Sequence, residues 1–145
     1  MLFRSIKIDP LELVGGGMDV ASVVAQACAF PAQRPVLIYS SADPVAVGGA
    51  QAELGRERAG QFVEHALAAI AKALVSNSFT RVIVAGGETS GAVVHALGVS
   101  SLEIGPEIDP GVPWTRAVGH DLVLALKSGN FGGRDFFLKA RDKLA

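Results

Sequence analysis

The stretch "VIVAGGETSGAVVHALG", residues Val82 to Gly98, decides the fold class of this 145-residue chain. The apolar run from Val82 to Ala85 is typical of a buried strand, and two glycines follow it directly. A short helix is expected next, from about Ser90 to Leu97, ending at Gly98. A buried strand, a glycine turn and a helix in succession indicate an α/β protein.

The rest of the chain continues this alternation of strands and helices. Further strands are predicted at Ser5–Ile8, Val36–Tyr39, Leu102–Ile104 and Leu122–Leu126, and further helices at Val20–Phe30, Gln51–Val75 and Arg134–Leu144. The order β, α, β, α, β, α, β, β, α predicts a three-layer α/β/α sandwich with a mostly parallel central sheet. We expect one domain, residues 1–145.

Composition excludes several classes of partner. Thirteen basic and 14 acidic residues leave a net charge of -1 without a basic block, so nucleic acid is not an expected partner. No apolar stretch has the length of a signal peptide or membrane span, which predicts a cytoplasmic protein without membrane contact. The single cysteine, Cys28, has apolar sequence neighbours and is predicted to be a buried small hydrophobe.

The junction "AGGETSG" is suited to binding phosphate. The missing side chains of Gly86 and Gly87 would let phosphate oxygens approach the main chain, and Thr89 could add a hydroxyl donor. The N-terminus of the following helix would attract the same anion. Phosphate repels Glu88, which therefore either turns away or helps to place Mg²⁺. The alternative is a tight turn in which Thr89 merely caps the helix.

A second glycine-rich segment, "LALKSGNFGG" from Leu124 to Gly133, also follows an apolar run. Its Ser128, Gly129 and Asn130 would contact phosphate or ribose. Lys127 would supply a counter-charge, unless the segment is only a tight connection with a solvated lysine. Ligands of α/β sheets usually lie beyond the carboxyl ends of strands, where both segments begin, so both loops are expected to converge on one anion.

Few other side chains stand out. Trp114 either offers its indole face to a purine ring or, as is more common, fills the core. The histidines His65, His95 and His120 lack metal-ligand spacing, so no metal site is assigned. The segment "IGPEIDPGVPW", Ile104 to Trp114, is stiffened by prolines and is not an ordinary flexible linker. No catalytic residue is identified.

Three segments together, "VAGGETSGAVVHALGV", "IGPEIDPGVPW" and "LALKSGNFGGRDFF", resemble the C-terminal nucleotide-binding domain of the four-carbon acid sugar kinase family. The resemblance covers most of Val36 to Leu144. By position, the nucleotide contacts of that family fall on Gly86, Gly87, Glu88, Thr89 and Gly129.

The resemblance implies a transferase domain of carbohydrate metabolism that binds ATP and Mg²⁺. The γ-phosphate of ATP would pass to threonate, erythronate or 3-oxo-tetronate-type acids. A separate sugar-acid-binding domain, in cis or in trans, is expected to complete the site, so this chain alone would be inactive. An unpaired sheet edge would also allow a homodimer. The alternative is a non-enzymatic module that senses nucleotide or binds a protein.

Overall fold

The computed structural model describes residues 3–40 and 55–144. These residues form a mixed α/β structure, which confirms the predicted class, and the chain divides into two compact units, Met1–Ile70 and Ala71–Ala145. The elements in chain order are β1 (Arg4–Lys7), α1 (Pro10–Gly15), α2 (Val20–Cys28), β2 (Val36–Tyr39), α3 (Arg56–Ser76), β3 (Arg81–Ala85), α4 (Gly87–Ala96), β4 (Leu102–Asp109), β5 (Val112–Ala117), β6 (Val123–Lys127) and α5 (Phe136–Asp142).

The first unit contains a parallel pair of strands, β1 and β2. Helix α1 follows β1 and is not among the predicted helices, because the three consecutive glycines after Val14 are poor helix formers. Asp9 caps this helix by accepting a hydrogen bond from the Leu11 N–H at 2.8 Å, and Pro10 occupies the first turn. Gly16, at φ 76°, ends the helix. The glycines therefore terminate α1.

Helix α2 buries one face through Val23 and Ala27, and the Asp19 carboxylate caps its start. The prediction for Cys28 is wrong, because its side chain is exposed. Its sequence neighbours are apolar, but each residue turns the helix by about 100°, which carries Cys28 off the face that Ala27 buries.

Helix α3 is the long helix predicted from Gln51, of which residues 51–54 lie outside the described part of the chain. Ile70 lies on its buried face. Among the helices of residues 3–40 and 55–144, none has the length and apolar character needed to cross a membrane.

The second unit contains a four-stranded sheet in the order β3-β6-β5-β4. Only β3 and β6 are parallel, and the other two pairings are antiparallel, so the prediction of a mostly parallel central sheet is wrong for this sheet. The cause is the length of the connections. Two residues, Pro110 and Gly111, join β4 to β5, and five join β5 to β6, whereas a parallel crossover needs a dozen or more.

Strand β4 is longer than predicted, and β5 was not predicted at all. Pro106 and Pro113 argue against a regular strand, but β4 is an edge strand whose pairing with β5 shifts register between Ile104 and Glu107. Gly105 lies in this irregular section, where a Cβ would come within 2.9 Å of the Trp114 carbonyl oxygen. The proline-rich segment is therefore a bulged hairpin.

Strand β6 contributes to two apolar clusters in alternation, as its period of two requires. One cluster contains Ala125 together with Ile108, Val112, Trp114, Phe136 and Ala140. The other contains Leu124 together with Val99, Ala117 and Leu122, and residues of α4 pack against it. Helices α4 and α5 thus pack against different clusters, and the core surrounds β6.

Candidate functional site

The two glycine-rich loops are neighbours, because they leave the carboxyl ends of paired parallel strands. In the β3–β6 register Ala85 lies opposite Lys127. The Gly86 N–H then donates to the Lys127 carbonyl oxygen at 2.8 Å. One residue further, a Cβ on Gly87 would lie 3.3 Å from the Ser128 Oγ. The structure thus brings the two predicted loops together at one end of the sheet.

The first loop starts its helix earlier than predicted. Helix α4 begins at Gly87 instead of Ser90, and its cap is Gly86, which has no capping side chain. The backbone of Gly86 is at φ 119°, ψ 130°, a region open essentially to glycine. The interpretation of Thr89 as the N-cap is therefore wrong: Thr89 lies inside the first turn of the helix.

This helix start leaves backbone donors available. Within the described residues, no hydrogen bond is found for the N–H groups of Gly87, Glu88 or Thr89, whereas the Ser90 N–H donates to the Gly86 carbonyl at 2.9 Å. The N–H of Gly86 is already used by Lys127, so Gly86 shapes the loop without a donor of its own to offer. Free N–H groups and the positive end of the helix dipole favour an anion.

Side chains of the first turn differ in environment. Glu88 is exposed, and Thr89 is half-buried with its Oγ1 3.3 Å from the position of a Gly86 Cβ. Ser90 is 8% exposed, and its Oγ is buried without a hydrogen-bond partner in the described structure. A buried hydroxyl without a partner costs free energy and is rare in native proteins, which makes Ser90 a notable feature of this turn.

The second loop is folded over its own lysine. The Lys127 ammonium donates to the Gly129 carbonyl at 2.9 Å, and Gly129 has φ 49°. The Phe131 N–H donates to the Ser128 carbonyl at 3.2 Å, which closes a tight turn. Ser128, Gly129 and Asn130 are exposed. The loop presents polar groups to solvent beside a fixed positive charge.

Asp109, which the sequence analysis missed, anchors the far end of this loop. Its carboxylate accepts hydrogen bonds from the Gly133 N–H at 2.9 Å and from the Lys139 ammonium at 2.8 Å. The bond from Lys139, then that from Gly133, lowers the pKa of Asp109, and the same bond to Asp109 raises the pKa of Lys139. No local sequence signal could reveal this anchor, because Asp109 and Gly133 are 24 residues apart.

Trp114 belongs to the core. It is 3% exposed, and its indole N–H donates to the Ala140 carbonyl oxygen at 2.9 Å. Of the two roles considered for this residue, the structure therefore supports the core role. The histidines are exposed, and no group of three or more potential metal-binding side chains is found in the described residues.

A cavity of about 220 Å³ in the second unit does not coincide with the loops. It is bordered by Val123, where β6 begins, whereas the second loop leaves β6 at its other end, after Lys127. Its lining also includes Ile104, Gly105, Trp114 and Leu144. This cavity is therefore separate from the candidate site.

Comparison with known proteins identifies the family to which this chain is related. A family described as "Nucleotide-binding C-terminal domain" matches residues 2–137. A 3-oxo-tetronate kinase of Pseudomonas fluorescens is 54% identical over 142 residues, which cover 96% of this chain and 32% of the relative. A 3-oxo-tetronate kinase of Pseudomonas savastanoi is also 54% identical, over a match that covers 97% of this chain and 33% of the relative. The chain spans about a third of the length of these curated relatives.

Solved structures show the same fold. A Haemophilus influenzae protein of the DUF1537 family superposes with a TM-score of 0.90 at 33% identity, covering 98% of this chain and 35% of its own. A Bordetella bronchiseptica protein of that family, crystallised with citrate as a domain-swapped dimer, superposes with a TM-score of 0.66 at 21% identity, covering 94% and 33%. The second likeness concerns the fold alone. This chain belongs to the nucleotide-binding C-terminal domain family of the four-carbon acid sugar kinases.

Proposed function

We propose that this chain is the ATP-binding portion of a kinase that phosphorylates four-carbon sugar acids of the threonate, erythronate or 3-oxo-tetronate class. One observation carries the proposal: the pairing of Ala85 with Lys127 brings two glycine-rich loops together beside a helix start whose first three N–H groups have no hydrogen-bond partner among the described residues. Identities of 54% to 3-oxo-tetronate kinases support the substrate class.

The phosphate chain of ATP would lie between the two loops. The N–H groups of Gly87, Glu88 and Thr89 would donate to its oxygens from one side. From the other side Ser128 and Asn130 would donate through their side chains, and Gly129 would allow close approach. Such fixed donors stabilise the charge that spreads over the oxygens of a transferred phosphoryl group.

Glu88 fits a role in holding Mg²⁺. Its exposed carboxylate lies in the first turn of α4, beside the free N–H groups. Mg²⁺ is typically held by one or two carboxylates together with substrate phosphates and water, so a single Glu is a sufficient protein ligand here. When bound, the ion neutralises charge on the phosphates. Glu88 would orient it directly or through a water molecule.

The sugar acid and the catalytic base would come from a second domain, in cis or in trans. The relatives are about three times as long as this chain, which leaves room for such a domain. The chain alone would bind nucleotide and phosphorylate nothing. A three-layer α/β/α arrangement of this domain is part of the proposal, supported by α4 and α5 packing against different clusters of the four-stranded sheet.

Calorimetry with ATP and Mg²⁺ tests the placement of the nucleotide. In Gly87→Val the new side chain would crowd the Ser128 Oγ, since even a Cβ would lie 3.3 Å from it, and would block the first free N–H. Losing one or more hydrogen bonds to a charged group predicts about 10- to 100-fold weaker binding. The matched control is Gly91→Ala, further along the same helix, where nothing lies within 4 Å of the new Cβ.

The control should bind ATP as the original protein does, and thermal unfolding should show both variants folded. Equal affinities for Gly87→Val and Gly91→Ala would place the nucleotide elsewhere.

Phosphotransfer is tested by adding the sugar-acid-binding domain of a related kinase. Nucleotide binding without any turnover in that mixture would favour a non-enzymatic module.

A further inference from the structure

Within the described residues, the two glycine-rich loops offer polar groups for phosphate, and the groups discussed above include none for the base of a nucleotide. Trp114, the aromatic residue considered for that role, is buried in the core. Residues 71–144 contain five aromatic side chains, and Phe131 is the exposed one, with 56% of its surface accessible. It lies in the second glycine-rich loop, three residues after Ser128. An exposed aromatic ring therefore lies in one of the two loops that are proposed to contact phosphate.

The Phe131 ring is supported from one side by the β4–β5 turn. Its Cδ1 and Cε1 atoms lie 3.0 Å from the point where a Cβ of Gly111 would be, so the ring rests on a residue without a side chain. Gly111 has φ 80°, which is unfavourable for other residues. The ring therefore packs closely on Gly111 while more than half of its surface stays accessible to solvent.

The loop that carries Phe131 is held at both ends. Lys127 donates to the Gly129 carbonyl at the start, and Asp109 accepts from the Gly133 N–H at the end. Asp109 also precedes the turn on which the ring rests, so one carboxylate ties the loop to its support. A side chain positioned before binding loses little conformational entropy when a ligand packs on it.

We propose that Phe131 stacks on the purine ring of a nucleotide whose phosphates lie between the two glycine-rich loops. The inference rests on the proposed function. The turn from Ser128 to Phe131 spans less than about 7 Å between Cα atoms, which places the ring beside the phosphate groups with room for the ribose between. An isolated exposed phenylalanine is common on protein surfaces. Phe131 differs from such a residue because it packs on Gly111 and belongs to the second glycine-rich loop.

Phe131→Ala tests the proposal when two ligands are compared, ATP with Mg²⁺ and inorganic tripolyphosphate with Mg²⁺. Base stacking on an aromatic side chain predicts roughly 5- to 100-fold weaker ATP binding in the variant, with tripolyphosphate binding within about twofold of the original. Val118→Ala is the matched control. Val118 is also 56% exposed, but it follows β5 at the opposite end of the sheet. This control should bind both ligands unchanged.

Phe131→Trp adds a direct readout. Trp114 is the chain's single tryptophan and is buried, so a second indole at position 131 should retain ATP affinity and lose fluorescence when a purine stacks on it. Tripolyphosphate should leave that fluorescence unchanged.

Three results would overturn the stacking role. One is unchanged ATP binding in Phe131→Ala, and another is an equal loss for both ligands, which would indicate that the ring only supports the loop. The third is Phe131→Trp fluorescence that ignores ATP. If the original protein binds neither ligand, the proposed function fails and the stacking role fails with it. Binding of both by the original protein, with Phe131→Ala unaffected, would remove the stacking role alone.

Discussion

Replacing Gly132 by alanine should be the most disruptive glycine substitution in the two loops. Gly132 has φ 85°, and a Cβ there would lie 2.8 Å from the Cδ2 of Phe136. Phe136 is 1% exposed and belongs to the core cluster of the four-stranded sheet, so its ring has little freedom to move away. The substitution therefore meets both backbone strain and a steric conflict.

The magnitude follows from these two effects. A non-glycine residue in the left-handed region costs roughly 1–2 kcal/mol, and inserting a carbon into a packed core costs about 1–3 kcal/mol. Alanine also restricts the unfolded chain, which returns about 0.4–1 kcal/mol. The free energy of unfolding should therefore fall by roughly 1–5 kcal/mol for Gly132→Ala, with the middle of that range near 3 kcal/mol.

Substitutions at two other glycines separate the cost of backbone strain from the cost of the steric conflict. Gly129 has φ 49° but nothing within 4 Å of its Cβ position, so Gly129→Ala should lose only about 1 kcal/mol. Gly91 is helical with open space, so Gly91→Ala should gain about 0.5–1 kcal/mol. Urea unfolding without nucleotide, followed by the fluorescence of buried Trp114, measures all three. If Gly132→Ala were no less stable than Gly129→Ala, the contact with Phe136 would have no energetic role.

Two further substitutions test the packing around the loops. The pKa of Asp109 is lowered from 3.8 in the folded protein, so its carboxylate stabilises the fold above that pH, and this stability is lost as the pH falls through the lower folded pKa. Asp109→Asn should therefore weaken the loss of stability at acid pH, as measured by urea unfolding at a series of pH values. If the variant lost stability at acid pH just as the original protein does, the Asp109 anchor would have no energetic role. Trp114→Phe removes the indole N–H that donates to the Ala140 carbonyl and leaves that buried oxygen unpaired, so the free energy of unfolding should fall by about 1–3 kcal/mol. A thermal unfolding curve, measured by calorimetry, that matched that of the original protein would contradict this.

Local signals in the sequence predicted most elements of this protein well. The strand Val36–Tyr39 is placed as predicted, and β3, β6 and α2 differ by one or two residues at most ends. Helix α1 and strand β5 were missed for one reason. Glycine and proline commonly interrupt regular structure, whereas here Gly16 ends helix α1 and Pro113 lies inside β5.

Local sequence signals also predicted part of the candidate site. Gly86, Gly87 and the segment from Ser128 to Asn130 could be named, because glycines after apolar runs mark strand ends that ligands approach. Their assignment as nucleotide contacts stays a prediction. Asp109 and Phe131 could not be named, since each acts through a contact more than 15 residues away in sequence: Asp109 with Gly133, and Phe131 with Gly111.

The amino-acid sequence by itself determined the α/β class, the position of the glycine loops and, through its motifs, the family. These are properties of short segments, set by periodicity and by the conformations that glycine and proline allow. The tertiary structure alone decided that β3 and β6 are adjacent, that Trp114 is buried and that Phe131 is exposed. Strand order and burial depend on how distant segments share one core, and no local pattern contains that information.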